Sequence, residues 1–137
     1  MATIHPLDLN PNKGIGLKYP LSADSKTTFA LNYTTKDQIK TNLLNFILTN
    51  EGERIMMPPD YGFGANKLLF ETDTDVEIGL RDRLSAKIEK WMPYVRIQSV
   101  ELNTNPNNPQ EINAQIIFVT DLDPVSPDTL LLVLAIE

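Results

Sequence analysis

The sequence predicts an α+β fold in which two helices pack on a small mixed or antiparallel sheet, after an extended N-terminal arm and with a β-strand at the C-terminus. Three observations predict it. Residues 1–34 show no sustained hydrophobic period, two central segments repeat apolar residues at helical spacing, and three strand-like segments fill the last third of the chain. Because 137 residues is the length of one domain, we expect an arm over residues 1–34 and a single domain over residues 35–137.

The arm is interrupted by proline and glycine, and its apolar residues stand singly, at Ile4, Leu7, Leu9, Ile15, Leu17 and Leu21. Two interpretations are open: a flexible tail, or an arm that becomes ordered against a neighbouring protein. Single apolar anchors without a local core favour the second. A short strand near Phe29–Tyr33 is expected to join the main sheet.

The first helix is expected to begin at Thr35, which forms a capping box with Gln38, and to stop at Gly52, since glycine is the usual residue after a helix. Helical spacing gives it one apolar face, made of Ile39, Leu43, Phe46 and Ile47.

The second helix is expected to begin near Thr74, where Glu77 completes another capping box. It should end before Pro93, because proline cannot continue a helix. Its apolar residues recur at about four-residue steps, at Val76, Leu80, Leu84, Ile88 and Trp91.

Three strand-like segments close the chain: "VRIQSVEL", "INAQIIFV" and "TLLLVLAI". In the first, Val95 and Ile97 lie on one face but Val100 and Leu102 have the opposite parity, which predicts a β-bulge near Gln98–Ser99. The last is apolar on both faces, as central buried strands are, so we expect it in the centre of the sheet. The alternative is that it also pairs with or packs under a partner, because an apolar edge otherwise promotes aggregation.

Composition excludes several classes of function. The net charge of −6 argues against sequence-independent binding of nucleic acid, which needs a cationic face. The chain has no cysteine and a single histidine, His5, so we expect no disulfide, no cofactor and no metal site of its own. No stretch approaches the roughly 20 apolar residues that span a bilayer, and the N-terminus has no signal-peptide pattern. We expect synthesis in the cytoplasm and no membrane partner.

The loop "TNEGERIMMPPDYGFGANKLLFE", residues 49–71, could serve catalysis or contact. Glu53 and Asp60 are the candidate carboxylate pair of a glycosidase, here a muramidase. Arg54, next to Glu53, keeps a nearby carboxylate ionised and so opposes a general-acid role. Asp121, Asp123 and Asp128 have the spacing of surface turns rather than of a calcium loop. The chain also shows no nucleotide-binding or Ser–His signature.

The same loop carries the richest apolar set outside the helices: Met56, Met57, Tyr61, Phe63, Leu68, Leu69 and Phe70. We expect Leu68, Leu69 and Phe70 in the core. For Tyr61, Phe63 and Arg54, core and contact patch remain equally open, since aromatic residues and arginine are favoured at interfaces.

The stretch "NLLNFILTNEGERIMMPPDYGFGANKLLFE" resembles the phage baseplate wedge family that is often labelled lysozyme-like. That family includes the type VI secretion baseplate component and the sheath initiator of contractile tails. The matching positions are Thr49, Gly52, Glu53, Arg54, Pro58 or Pro59, Tyr61, Gly62, Leu68, Leu69, Phe70 and Glu71. Further on, Arg96 matches the arginine of the family's Glu-Pro-Arg motif, while Tyr94 and Val95 replace its first two residues. The resemblance covers residues 36–136.

The resemblance implies a non-enzymatic α+β protein of the inner wedge ring, present in several copies, with six expected. It would contact the wedge helical bundle and the tail tube or hub, and offer its C-terminal sheet to the first ring of tail sheath protein by strand exchange. The implied location is the tail baseplate of a virion assembled in the host cytoplasm. The expected partner-binding residues are Glu53, Arg54, Tyr61, Phe63, Arg96, Leu130, Leu132, Leu134 and Ile136.

Two alternatives accompany this interpretation. One is a muramidase-type cell-wall hydrolase that uses Glu53 and Asp60. The other is a baseplate homologue in a type VI or extracellular injection system, with the same mechanics in a different machine.

Overall fold

The computed structural model describes residues 6–10, 12–19, 21–24, 28–65 and 76–135. It confirms an α+β fold of two helices and antiparallel sheets. After a short 3₁₀ helix at Pro6–Leu9, the elements in chain order are β1 (Gly16–Leu17), β2 (Leu31–Asn32), α1 (Thr35–Leu48), α2 (Val76–Trp91), β3 (Val95–Asn105), β4 (Asn108–Thr120) and β5 (Asp123–Ala135).

The main sheet is an antiparallel meander with the strand order β3-β4-β5. Tight turns at 106–107 and 121–122 join its strands. The pairing of β3 with β4 skips Gln98 between Ile97 and Ser99, which confirms the predicted bulge.

The prediction that the last strand is central is wrong, because β5 lies at an edge of the sheet. Among the described residues β5 pairs only with β4, the strand before it, and its second side is open. The apolar run of β5 therefore covers one buried face and one exposed face, rather than two buried ones.

The prediction that the strand near Phe29–Tyr33 joins the main sheet is also wrong. Leu31–Asn32 pairs with Gly16–Leu17 in a separate two-stranded sheet. Asn32 explains this placement: it is buried, and its side-chain amide donates to the Leu17 carbonyl at 3.2 Å and to Gln38 and Thr41 of α1, each at 3.0 Å. These bonds hold the hairpin against α1.

Both ends of α1 differ from the prediction by a few residues. The N-cap is Thr34, whose hydroxyl accepts the Asp37 N–H, whereas Thr35 is the first helical residue. Thr35 donates its N–H and its hydroxyl to the Asp8 carboxylate, so the arm contributes to the start of the helix. At the other end the C-cap is Thr49 and not Gly52. The predicted start of the second helix at Thr74 lies outside the described residues.

The core lies between the two helices and the inner face of the β3-β4-β5 sheet. The predicted apolar face of α1 is buried, as are Leu80, Leu84 and Ile88 of α2. Phe46 of α1 and Phe118 of β4 are fully enclosed. The other buried apolar residues are Ala65, Met92, Val95, Val100, Ala114, Ile116, Val119, Leu130, Leu132 and Leu134. Leu68, Leu69 and Phe70, which were also expected in the core, lie outside the described residues.

Replacing Asn32 with Ala should lower the free energy of unfolding by about 1–3 kcal/mol, because the buried Thr41 hydroxyl and the partly buried acceptors of Gln38 and Leu17 lose their donor. Urea denaturation measures this loss. Asn103→Ala, at an exposed position of β3, is the control and should change stability by less than about 0.5 kcal/mol. Equal stability of the two variants would contradict the assigned role of Asn32.

Candidate functional site

The outer edge of β5 is a candidate docking edge. Within the described ranges no strand pairs with that side of β5. Pro124 and Pro127 remove backbone donors from its first half, whereas residues 128–135 contain no proline. The opposite edge strand, β3, carries a bulge and the exposed charged residues Arg96 and Glu101, features that discourage edge-to-edge pairing. The second half of β5 lacks these protections.

The side chains of β5 alternate between the core and solvent. Leu130, Leu132 and Leu134 are only 4%, 5% and 3% exposed, since they point into the core of this chain. Leu131 and Val133 between them are 70% and 64% exposed. The three leucines predicted as partner contacts are therefore already packed. A partner at this strand would meet its backbone and the outward pair that the prediction omitted. Ile136 lies outside the described residues.

A cleft of about 600 Å³ runs beside this edge. One wall is formed by residues 129–131 of β5, the other by residues 31–33 around β2, and α1 contributes Asp37, Lys40, Thr41 and Leu44. Lys40 of α1 pairs with Asp128 at 3.5 Å, where the proline-free half of β5 begins. The free edge is thus accessible along a cleft with polar and apolar walls.

The loop of residues 50–64, which follows α1, is the second candidate. Its base is tied to the end of α1, because Phe63 donates to the Phe46 carbonyl and Gly64 to the Thr49 carbonyl. Gly62 has φ +109°, and a Cβ there would lie 2.5 Å from the Thr49 oxygen. Only glycine combines this backbone angle with so close an approach.

Two lysines of α2 hold the other side of this loop. Lys87 pairs with the Glu51 carboxylate and donates to the Gly62 carbonyl at 2.9 Å. Desolvation, with repulsion from Lys90 as the smaller cause, lowers the pKa of Lys87. Lys90 pairs with Asp60, and this hydrogen bond lowers the pKa of the Asp60 carboxyl from its ordinary value.

Tyr61 joins the loop to the core. Its ring packs edge-on against Phe46 and Trp91, with both centroid distances 5.2 Å. The Arg54 guanidinium lies over the same ring at 5.3 Å. Tyr61 and Phe63 are both partly buried against the core cluster, so they support the loop from beneath, while Arg54 is exposed above them.

The two candidate catalytic acids, Glu53 and Asp60, interact with different partners. The Glu53 carboxylate accepts the Asn50 N–H at 2.8 Å, and Asp60 is paired with Lys90. Glu53 is exposed, and the pairing of Asp60 favours its ionised form. Neither residue lines the cleft beside β5. A general acid in a glycosidase instead needs an apolar setting that raises its pKa.

Arg96 lies on the outer face of β3 and pairs with Asp121 at 3.3 Å, with both side chains more than 60% exposed. Tyr94, at the family's glutamate position, hydrogen-bonds with Asn42 of α1. Burial raises the pKa of Tyr94 and this hydrogen bond opposes the rise. Asp123 accepts the Ser126 N–H, as expected for a surface turn. Among the described residues no group of acids or histidines has the arrangement of a metal site.

Comparisons with known proteins point to one family. The sequence profile described as baseplate wedge protein gp25 matches residues 34–125. A candidate tail lysozyme from Geobacter sulfurreducens has a similar structure, with TM-score 0.64 and 16% identity over 79% of this chain and 96% of that one. A chain of the anti-feeding prophage baseplate gives TM-score 0.60 and 23% identity over 76% of this chain and 82% of that one.

At these identities the structural likeness shows the fold alone. A search of curated protein sequences gives no significant match. No helix within the described ranges is both long and apolar enough to cross a membrane.

Replacing Gly62 with Ala should destabilise the protein by about 1–3 kcal/mol, since alanine at this positive φ also clashes with the Thr49 carbonyl. Gly52→Ala is a matched control: its φ is +75°, but its nearest contact would be at 4.0 Å. Thermal and urea unfolding should therefore show that Gly62→Ala is clearly less stable than Gly52→Ala. The reverse order would contradict the close approach at Gly62.

Proposed function

This chain belongs to the baseplate wedge protein gp25 family, and on that premise we propose that it is a part of the inner wedge ring that starts sheath assembly. The family makes it a structural baseplate component, and its fold is that of a chain in the anti-feeding prophage baseplate. The finer role rests on one observation, the open edge of β5.

The second half of β5 combines an edge that no described strand pairs with and an apolar outer surface. An edge of this kind is a hazard for a free protein, because it templates pairing with other chains. In an assembly it is useful, since a strand added at the edge gains main-chain hydrogen bonds and side-chain contacts together. Leu131 and Val133 are then the outward contacts, and the buried leucines keep the edge in place.

The proposed partner at this edge is the tail sheath protein, whose first ring adds a strand to the sheet. Other wedge proteins and the tail tube or hub contact the remaining surfaces, in a ring of several copies, with six expected. The assembly is the tail baseplate of a virion built in the host cytoplasm. The second candidate is the equivalent position in an extracellular injection machine, and the observation in its favour is the likeness to the anti-feeding prophage baseplate chain.

A muramidase role is not part of the proposal, although one similar structure is described as a candidate tail lysozyme. Glu53 and Asp60 are each held by a separate partner, and no apolar pocket around either is visible among the described residues. Purified protein should not clear a cell-wall suspension. Clearing that disappears in Glu53→Gln would overturn this part of the proposal.

Placing lysine at both Leu131 and Val133 should reduce co-sedimentation with the sheath protein encoded beside it by at least tenfold. The two charges disfavour strand addition at this edge, while the fold survives because both positions are exposed.

The matched control places lysine at Ser99 and Asn103, on the same face of the sheet but at its β3 edge. It adds the same charge and should bind sheath like the wild type. Circular dichroism checks that all three proteins are folded. Equal binding by the two double variants would remove β5 as the docking edge.

A further inference from the structure

We propose that the apex of the 50–64 loop, Arg54, Ile55 and Met56, is a second docking site. It inserts into an apolar depression with a carboxylate at its rim on another baseplate protein, one distinct from the protein that pairs with β5. This inference rests on the proposed function, since it assumes that the chain works within a baseplate.

The apex exposes two large aliphatic side chains side by side. Ile55 is 97% exposed and Met56 is 94% exposed, more than any other large apolar residue described. Single exposed apolar residues are common on protein surfaces, whereas adjacent ones at a projecting turn mark contact sites. Their neighbours in the loop, Tyr61 and Phe63, are packed inward, so the loop separates an apolar base from an apolar tip.

The loop that carries the apex is held on both sides. Phe63 and Gly64 donate backbone hydrogen bonds that tie its end to α1, and Lys87 and Lys90 tie it to α2. Within the loop, Met57 donates to the Arg54 carbonyl and closes a turn around the apex. A tip that is already ordered loses little conformational entropy on binding, which is how a small apolar contact becomes effective.

Arg54 supplies the charge. The other two cations at the loop, Lys87 and Lys90, are paired with Glu51 and Asp60. Arg54 makes no ion pair within the described part of the chain, and its guanidinium lies over the Tyr61 ring at 5.3 Å in a cation–π contact. Its N–H groups match a carboxylate in a bidentate hydrogen bond. The complementary surface is therefore apolar with an acid beside it.

Other occupants fit less well. A membrane surface is disfavoured because anionic headgroups attract clusters of cations, whereas Arg54 is the one cation of the three apex residues and Glu53 precedes it directly. A second copy of this chain that met the apex in a two-fold contact is disfavoured, because it would bring Arg54 against Arg54. Two side chains alone also cover far less than the roughly 1,200 Å² that a stable interface needs. The apex is better suited as one anchor within a larger interface that other contacts hold together.

The experiment measures binding of the full chain to two purified probes, the wedge proteins and the sheath protein encoded beside it. Ile55→Ser with Met56→Ser should weaken wedge binding at least tenfold, as should Arg54→Glu, whereas sheath co-sedimentation stays at the wild-type level. Val125→Ser, another exposed apolar position at 76%, is the control and should leave both unchanged. Circular dichroism confirms folding, which these exposed substitutions should preserve.

The outcomes separate this inference from the proposed function. Wild-type wedge binding by the apex variants would overturn the inference and leave the role of β5 standing. Loss of sheath binding in the β5 variant together with loss of wedge binding in the apex variants supports both. If the wild type self-associates and the apex variants do not, the occupant is a second copy and the inference is overturned. Failure of the wild type to bind either probe would overturn both.

Discussion

The structure depends on the burial of one face of a three-stranded meander. Phe46 and Ile47 of α1 and Leu84 of α2 pack on Phe118, Ile116 and the inward leucines of β5. Because the helices cover one face of this sheet, β5 keeps its other face exposed unless another chain covers it. The core thus fixes β5 firmly, through side chains that a partner never meets, and leaves its outer edge and outer face available.

The same principle operates in the loop after α1. Tyr61 is packed between Phe46 and Trp91, and Gly62 brings the backbone against the end of the helix. Tyr61 and Gly62 hold the base of the loop against the core. The residues between the end of α1 and Tyr61 are therefore forced outward in a defined conformation. A rigid base and an exposed tip arise from one set of contacts. Both candidate surfaces are therefore consequences of how the core is built, and neither needs the protein to change shape.

Sequence patterns predicted those features that depend on neighbouring residues. The apolar faces of the helices followed from helical spacing, and the change of parity between Ile97 and Val100 predicted the bulge. Strand order could not be predicted this way. An apolar strand sequence looks the same whether its second face packs in the core of its own chain or against a partner. The start of α1 depends on Asp8, which accepts the Thr35 N–H from a position 27 residues earlier. The placement of β2 outside the main sheet depends on Asn32, which bonds to Gln38 of α1. The exposure of Ile55 and Met56 could not be predicted without knowing where Tyr61 and Gly62 lie in the structure.

The central claim is that the free half of β5 receives a strand from the sheath protein. Amide hydrogen exchange tests it most directly, because it reports backbone hydrogen bonds rather than side-chain contacts. With sheath protein bound, amides of residues 128–135 that face away from β4 should exchange at least tenfold more slowly, while exchange along the outer edge of β3 stays the same. Unchanged exchange at residues 128–135 in a chain that has bound sheath protein would contradict the account.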